Sequence, residues 1–390
     1  MVLPTACVDE NENSYPAFYT AAANSNEAIA MFSQALFQEV LVAGGENAVI
    51  SPLSAYFALA MVAQGASGQT LDEFHRLLNW QPNDLAPELY KLAELLTNTR
   101  GDTVLNIAGS VWFSDAFTVN EQFNNTMKNY FDAPAYSRDF FSPATVNEIN
   151  NWVYDRTEGL IDDIVEGFTP YDVMLLINAL YFKGQWANAW GPMVPQYDTF
   201  YLACGEDVEV ELLATSASQF YVTTTEQYQA TMLPYECGQF GFMLVRPTDD
   251  TPVRDFALTH NLADIFGNLQ QQQHVIIRMP GFDFEYEITM NNVLQNMGLR
   301  NAFDDSNADF TGLVNENHRP IYISEVLQKA RIIVDRYGTE AAAVTAVRVE
   351  FLMARYPSPT VLTFNTPYLY VIYHLPTGIP LFMGVVDDPR

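Results

Sequence analysis

Cysteine, histidine and basic residues are all scarce in this chain of 390 residues. The three cysteines, Cys7, Cys204 and Cys237, are too few and too odd in number for a disulfide framework. They form no Cys-x-x-Cys pair, and the five histidines form no His-Glu-x-x-His pattern, so nothing supports a metal site. The Gly-x-Ser-x-Gly elbow of hydrolases is missing as well. We therefore expect no metal and no cofactor, and we do not expect a hydrolase.

Positive charge is especially scarce, with 18 Lys and Arg against 47 Asp and Glu, a formal net charge of −29. Binding to phosphates and sulfated sugars depends on clustered cations, so nucleic acids, heparin-like activators and anionic membranes are poor candidate partners. The chain contains no run of about 18 apolar residues, which is the length needed to span a bilayer. The first residues lack the basic and apolar regions of a signal peptide, and Cys7 fits a free thiol better than a lipid-attachment site.

What the chain does contain is apolar periodicity over nearly its whole length. Helical patterns dominate the first half, and short strand patterns dominate the second half. No repeat, low-complexity linker or composition break divides the chain. We therefore expect a flexible segment over residues 1–25, followed by a single α+β domain over residues 26–390.

Several local signals place individual elements. Ser51 followed by Pro52 is typical of a helix start, and Thr70 is a candidate cap for a helix over Leu71–Leu78. The nearly continuous apolar run Val173–Phe182 predicts a strand buried on both faces. Two aliphatic runs, Val361–Tyr373 and Ile379–Val386, predict β-structure at the end of the chain.

The segment from Gly338 to Glu350 is the most informative in the sequence. Every second residue from Thr339 to Val349 is uncharged and is either small or β-branched, whereas the alternate positions hold the only charges of the segment. As a strand it would turn one face to a core and all its charges to water, and it has no proline to interrupt a ladder. It leads, however, into a stretch with the loop-like prolines Pro357 and Pro359.

Local propensity leaves another interpretation open. Glu340 and the three alanines after it are strong helix formers, so an exposed helix or an ordinary edge strand explains the segment equally well. The rest of the chain is needed to decide between these possibilities.

Four groups of residues, in order along the chain, resemble the serpin family from about Asn26 to Pro389. They are Asn47–Ser54, resembling Asn-x-x-x-Ser-Pro-x-Ser; Asn178–Trp186, resembling Asn-Ala-x-Tyr-Phe-Lys-Gly-x-Trp; Gly338–Ala346, resembling the reactive-loop hinge; and Phe364–Tyr368 with Pro376–Gly378 and Leu381–Gly384, resembling the C-terminal signature.

The resemblance implies an α+β serpin fold with three β-sheets, about nine helices and an exposed reactive loop over about residues 338–360. It also implies a protease inhibitor that acts as a suicide substrate. A target serine protease would cleave the loop, become acylated by it, and be trapped when the freed loop enters the central sheet as a new strand. The alternative is a non-inhibitory serpin with a binding or structural role.

The resemblance also assigns roles to particular residues. Those are a hinge of Gly338, Thr339, Glu340, Ala341, Ala342 and Ala343; a shutter of Ser51, Ser54, Asn178 and Gln328; and a breach of Trp186 and Arg336. Two departures stand out. Gln328 occupies a position where the family often has histidine, and we expect it to hydrogen-bond its shutter neighbours. Arg336 and Gly281 replace a Glu–Lys pair, so either the sheet top opens more easily or another acid pairs with Arg336.

The scissile bond is placed by counting along the loop. Fourteen residues beyond Gly338 lies Leu352–Met353, which suits a chymotrypsin- or elastase-like protease. Counting back from Phe364 gives a bond before Pro357, where proline resists cleavage. Phe351 and Arg355 remain alternatives; Arg355 would suit a trypsin-like protease, and cysteine proteases are a further possible target class.

The resemblance carries expectations about the molecule's setting. We expect a monomer that could form loop–sheet polymers, located outside the cell or at its surface. The acidic balance and scarce cysteine favour a prokaryotic source.

Overall fold

The computed structural model describes six stretches of the chain: residues 24–80, 85–188, 190–191, 197–316, 320–339 and 359–390. The segment predicted to be flexible, residues 1–25, lies almost wholly outside the described residues. So do residues 340–358 of the predicted reactive loop.

The described residues form nine α-helices, which are α1 Ser25–Ala43, α2 Pro52–Ala63, α3 Gly68–Leu78, α4 Leu85–Thr97, α5 Glu121–Tyr130, α6 Pro143–Arg156, α7 Val253–Thr259, α8 Leu262–Gly267 and α9 Asn291–Asn296. Two of them begin with the predicted combination of a serine cap and a proline. The Ser51 hydroxyl accepts a hydrogen bond from the Ser54 amide at 3.3 Å, and Ser142 caps α6 in a similar way.

The expected cap of α3 is wrong. The helix begins at Gly68, three residues earlier than Thr70 would place its first turn. The Thr70 side chain is buried and accepts a hydrogen bond from the Asp309 amide at 3.0 Å. A tertiary contact to a distant segment therefore uses the hydroxyl that the local pattern assigned to capping.

The described residues also form sixteen strands, which are β1 Val49–Ile50, β2 Val104–Ser114, β3 Ala135–Arg138, β4 Met174–Gln185, β5 Trp190–Gly191, β6 Tyr197–Tyr201, β7 Asp207–Thr224, β8 Tyr228–Pro234, β9 Phe240–Pro247, β10 Gln270–Pro280, β11 Phe282–Thr289, β12 Glu325–Val334, β13 Gly338–Thr339, β14 Thr360–Thr363, β15 Tyr368–His374 and β16 Ile379–Val386. The predicted run Val361–Tyr373 is thus two strands, separated around Pro367, which has no amide hydrogen to donate.

Ten strands join into one sheet through the long strand β7. The main order is β1-β16-β15-β9-β8-β7-β10-β14, with β5 and β6 also paired to β7. The start of β7 pairs with β6, its middle with β10 and its end with β8. Strand β7 pairs with β10 and with β8, its neighbours in this order, and also with β6. Two of the three expected sheets are therefore connected through the hydrogen bonds of β7.

The six-stranded sheet has the order β11-β12-β13-β4-β2-β3. Helix α2 packs against one face of this sheet. All twelve of its residues are buried, and ten of them belong to the main hydrophobic core. Helix α6 covers part of the opposite face, where a second cluster joins Ile149 and Val153 to Trp112, Ile177 and Leu327. The sheet is therefore enclosed on both sides in this region. Among the helices of the described stretches, none combines the length and apolar character needed to cross a bilayer.

Candidate functional site: the partly opened six-stranded sheet

Strands β4 and β12 run parallel and pair directly only at one end. Glu325–Gln328 pair with Leu175–Asn178. Beyond that point Lys329–Ile333 continue to pair with β11, and Ala179–Lys183 continue to pair with β2. Among the described residues, these two five-residue stretches do not pair with each other. The space between them is called the slit.

Strand β13 occupies the far end of the slit. Thr339 pairs antiparallel with Val334 of β12 on one side and with Gly184 of β4 on the other. With a strand between them, β4 and β12 are about two inter-strand spacings apart, or roughly 10 Å, instead of about 5 Å where they pair directly. The start of the predicted hinge is thus already a short strand of the central sheet.

A tight turn leads from β12 into β13. The Asp335 carboxylate accepts hydrogen bonds from the amides of Tyr337 at 2.7 Å and Gly338 at 3.1 Å, and the Asp335 amide donates to the Gly338 carbonyl. A Cβ atom on Gly338 would overlap the carbonyl oxygen of Gly184. Only glycine lets the two backbones approach this closely.

Thr339 is 2% exposed, and its hydroxyl lies 2.6 Å from the hydroxyl of Tyr235. Burial raises the pKa of Tyr235 far above its ordinary value, which outweighs the opposing effect of the bond to Thr339. Tyr235 therefore remains a neutral hydroxyl. This contact orients Thr339 toward the side of the sheet that faces the main core.

The breach residue Trp186 holds the turn against the sheet. Its indole nitrogen donates to the Asp335 carbonyl at 2.8 Å, and its ring stacks on Tyr235 with centroids 4.7 Å apart. Its backbone amide donates to the Tyr337 carbonyl at 3.0 Å. Arg336, the other breach residue, forms an ion pair with Glu211 of β7, which is the acid that the sequence left unidentified.

The four shutter residues meet in one buried hydrogen-bond network below the slit, and each is at most 1% exposed. The Gln328 side-chain nitrogen donates to the Ser51 carbonyl at 2.8 Å, to the Ser54 hydroxyl at 3.1 Å and to the Asn178 side-chain oxygen. Its oxygen accepts from the Ser51 amide at 3.0 Å, and Ser54 donates to Asn178 at 2.8 Å. The network links α2 to both strands that flank the slit.

Lys329 lies beside the shutter on the opposite face of the sheet. Its ammonium contacts Asp163, in the segment after α6, at 2.7 Å and Glu285 of β11 at 3.1 Å. Burial opposes its charge, but hydrogen bonds and attraction from both carboxylates outweigh burial and raise the pKa of Lys329. The ion pairs therefore tie the segment after α6 to β12.

The structure places eight of the residues that the sequence selected in two groups, one at each end of the slit. At the far end lie Gly338, Thr339, Trp186 and Arg336, and at the other end lie Ser51, Ser54, Asn178 and Gln328. The other hinge residues, Glu340, Ala341, Ala342 and Ala343, lie outside the described residues, as do the scissile-bond candidates Phe351, Leu352, Met353 and Arg355. Sequence reasoning missed Tyr235, Glu211 and Lys329, because no local motif marks them.

Comparisons with known proteins give a consistent result. The family described as Serpin (serine protease inhibitor) matches residues 27–389. Human neuroserpin is 29% identical over 388 residues, covering 95% of this chain and 93% of its own. An uncharacterized serpin-like protein of Thermococcus kodakarensis is also 29% identical, over 371 residues, covering 93% of this chain and 85% of its own.

The solved structures agree with the sequence matches. The native state of the thermophilic serpin Tengpin superposes with a TM-score of 0.85 and 30% identity, covering 98% of this chain and 96% of that chain. These matches confirm the expected fold class and the resemblance on which it was based.

Proposed function

This chain belongs to the serpin family, and we propose that it is a suicide-substrate inhibitor of serine proteases. Members of the family are mostly protease inhibitors rather than enzymes. Cleavage of the reactive loop by the target would form an acyl-enzyme. The freed loop would then enter the slit and trap the covalent complex before water hydrolyses it.

The observation that carries the proposal is the position of β13 between β12 and β4. Since Thr339 pairs with Val334 and with Gly184, an antiparallel continuation would lay residues 340–344 beside residues 333–329 and 183–179. Those five residues match the length of the slit. The hinge therefore needs no change of register to continue as a strand.

The next position in this register explains the place of the shutter. Thr345 would come level with Gln328 on one side and with Asn178 on the other. Entry beyond the slit would have to break the hydrogen bond between those two amides. The Thr345 hydroxyl would then stand between the separated amides and could bond either one, which limits the cost of opening.

Side-chain direction supports the same continuation. Thr339 points toward the main core, so Ala341, Ala343 and Thr345 would point there too. The neighbours of Ala341 on the two flanking strands would be Ile332 and Phe182, which are 2% and 3% exposed. A charged side chain at such a position would have to be desolvated, at a cost of several kcal/mol.

The energy available from insertion is large. Thirteen residues from Glu340 to Leu352 would still have to enter, and they span roughly 43 Å as a strand at about 3.3 Å per residue. About 15–20 new sheet hydrogen bonds, at roughly 0.5–1.5 kcal/mol each, give on the order of 10–25 kcal/mol. Such a gain could displace a bound protease from one end of the molecule to the other.

We place the scissile bond at Leu352–Met353, with a chymotrypsin- or elastase-like target. Phe351 and Arg355 remain the alternatives, and Arg355 would direct inhibition to trypsin-like enzymes. Mass spectrometry of the peptide released by elastase, chymotrypsin and trypsin would identify the bond and the target class together.

The test of inhibition compares neighbouring substitutions in the hinge. The wild-type protein should form an adduct with at least one of the three proteases that survives boiling in detergent. Ala341→Arg places a charge toward the core and should give cleavage without an adduct. Glu340→Arg is the matched control, because its neighbours Ile333 and Lys183 are only half-buried, and it should still form the adduct.

Clean cleavage of the wild type by all three enzymes, with no adduct, would contradict inhibition and favour a non-inhibitory binding or structural role. Equal adduct formation by both variants would contradict the register proposed above.

The remaining parts of the proposal concern the setting of the molecule. We propose a monomer that acts outside the cell or at its surface, where a target protease is met. A slit that accepts its own hinge can also accept the loop of a second copy, so loop–sheet polymers should appear on prolonged heating.

A further inference from the structure

A cavity of about 130 Å³ lies between helices α1, α3 and α7 and the end of α9. None of the described hinge, shutter or breach residues lines it. Its walls are mostly apolar, and the residues that form them are Met31, Phe32, Ala35, Val42, Leu77, Leu258 and Met297, joined by the polar residues Gln38, Glu39 and Asn79. Val42 and Leu258 are 66% and 38% exposed, so the cavity is open to solvent on their side.

Gln38 lines this cavity, and its side chain carries an unpartnered polar atom. The side chain is only 8% exposed, and its amide nitrogen donates to the carbonyls of Ala257 at 2.9 Å and Leu258 at 3.2 Å. Those two carbonyls fix the orientation of the amide, because turning it over would set oxygen against oxygen. The amide oxygen is buried and has no hydrogen-bond partner among the described residues. Its partial negative charge is not neutralised by a donor, so it adds to the negative potential on this side of the cavity.

Charge narrows the class of occupant further. Glu39, next to Gln38 on α1, lines the same cavity and is the only ionisable residue among the described residues that do so. Asn296 contacts its carboxylate at 3.5 Å, a long hydrogen bond. The cavity thus presents acceptors and a negative charge, with methionine side chains that adapt to irregular shapes.

We propose that this cavity binds a small amphipathic amine, with an aromatic or short alkyl group inside and an ammonium directed at Glu39. An apolar cavity of about 150 Å³ accepts a benzene ring, so this one is of the right order for a single ring. The ammonium would pair with the Glu39 carboxylate. Among the residues that the structure describes, this cavity shares none with the slit, so the proposal does not depend on protease inhibition.

The test is calorimetric titration of the full chain with three ligands of nearly equal size: phenethylamine, 2-phenylethanol and 3-phenylpropionate. Saturable binding of one equivalent is expected for phenethylamine. The neutral alcohol should bind about tenfold more weakly, and the anion should not bind measurably. No saturable binding of the amine, or equal binding of all three ligands, would overturn the proposal.

Variants locate the site. Ala35→Leu fills the cavity and should abolish amine binding, with an unchanged circular dichroism spectrum as the check on folding. Glu39→Gln should weaken amine binding about tenfold and leave the alcohol unaffected. Glu46→Gln is the matched control, because it removes the same charge from an exposed position outside the cavity and should change nothing. Equal effects of Glu39→Gln and Glu46→Gln would refute a local ion pair.

Discussion

Gln328 uses both ends of its side-chain amide inside the protein, where a family member often has a histidine. Its nitrogen and oxygen together contact three other shutter residues, Ser51, Ser54 and Asn178. An amide does not titrate, so protonation cannot switch this network in the way it could switch a buried imidazole. Acid sensitivity should therefore arise elsewhere in the molecule.

We expect His374 to make the stability of the protein sensitive to acid. The ring is 1% exposed, packs against Phe240 and lies 2.9 Å from the Thr377 hydroxyl. Burial lowers the pKa of His374 from 6.5 to about 4. Between those values the unfolded chain binds the proton more readily, so the free energy of unfolding falls as pH drops from 6.5 toward 4, by up to about 3 kcal/mol.

Urea unfolding from pH 7 to pH 4.5 measures this loss. His374→Gln can still bond Thr377 but cannot titrate, so its stability should fall less steeply with acid than that of the wild type. The same slope in both proteins would show that His374 is not responsible.

Single residues also show what the sequence could predict. The shutter was predictable because its members stand in short motifs. Tyr235 and Glu211 were not, since each meets its partner, Thr339 and Arg336 respectively, across more than 100 residues of chain. Nothing near either residue in the sequence signals that contact.

At the scale of elements, the two-residue strand β13 has the largest consequence for function. It is held by a turn, by two backbone ladders and by the contact between Thr339 and Tyr235. Alternation in the sequence predicted a strand-competent segment. It could not predict that the first residues already lie in the sheet, because that depends on how far β4 and β12 diverge.

Gly338→Ala tests the placement of β13. Its Cβ would overlap the Gly184 carbonyl, so β13 should leave the sheet, with a loss of about 1–3 kcal/mol of stability. Hydrogen exchange at the amides of Gly184 and Thr339 should become faster. Gly267→Ala is the matched control, because no atom lies within 4 Å of its Cβ position. Unchanged exchange in Gly338→Ala would contradict the described insertion.

Helix α6 is a second element on which the proposed insertion would depend. Its apolar residues cover Ile177 and Leu327, level with the place where β4 and β12 still pair. The ion pair between Lys329 and Asp163 fastens the following segment there. A strand that enters beyond the slit would therefore have to displace α6 as well as break the hydrogen bond between Gln328 and Asn178.

At the scale of the whole molecule, the fold could be predicted from the order of four motifs along the chain. Composition and periodicity alone supported only a single α+β domain. The connection of two sheets through β7 was not predictable, because the local patterns marked only a short part of a strand 18 residues long. The sequence likewise gave no sign of the cavity between α1, α3 and α7, since its lining comes from separate helices.

The whole account requires that the uncleaved protein be less stable than its loop-cleaved form. Differential scanning calorimetry before and after cleavage within residues 351–356, with the protease removed, measures this difference. We predict a Tm rise of roughly 10 °C or more for the wild type and none for Ala341→Arg cleaved at the same bond. An unchanged Tm in the cleaved wild-type protein would contradict the account.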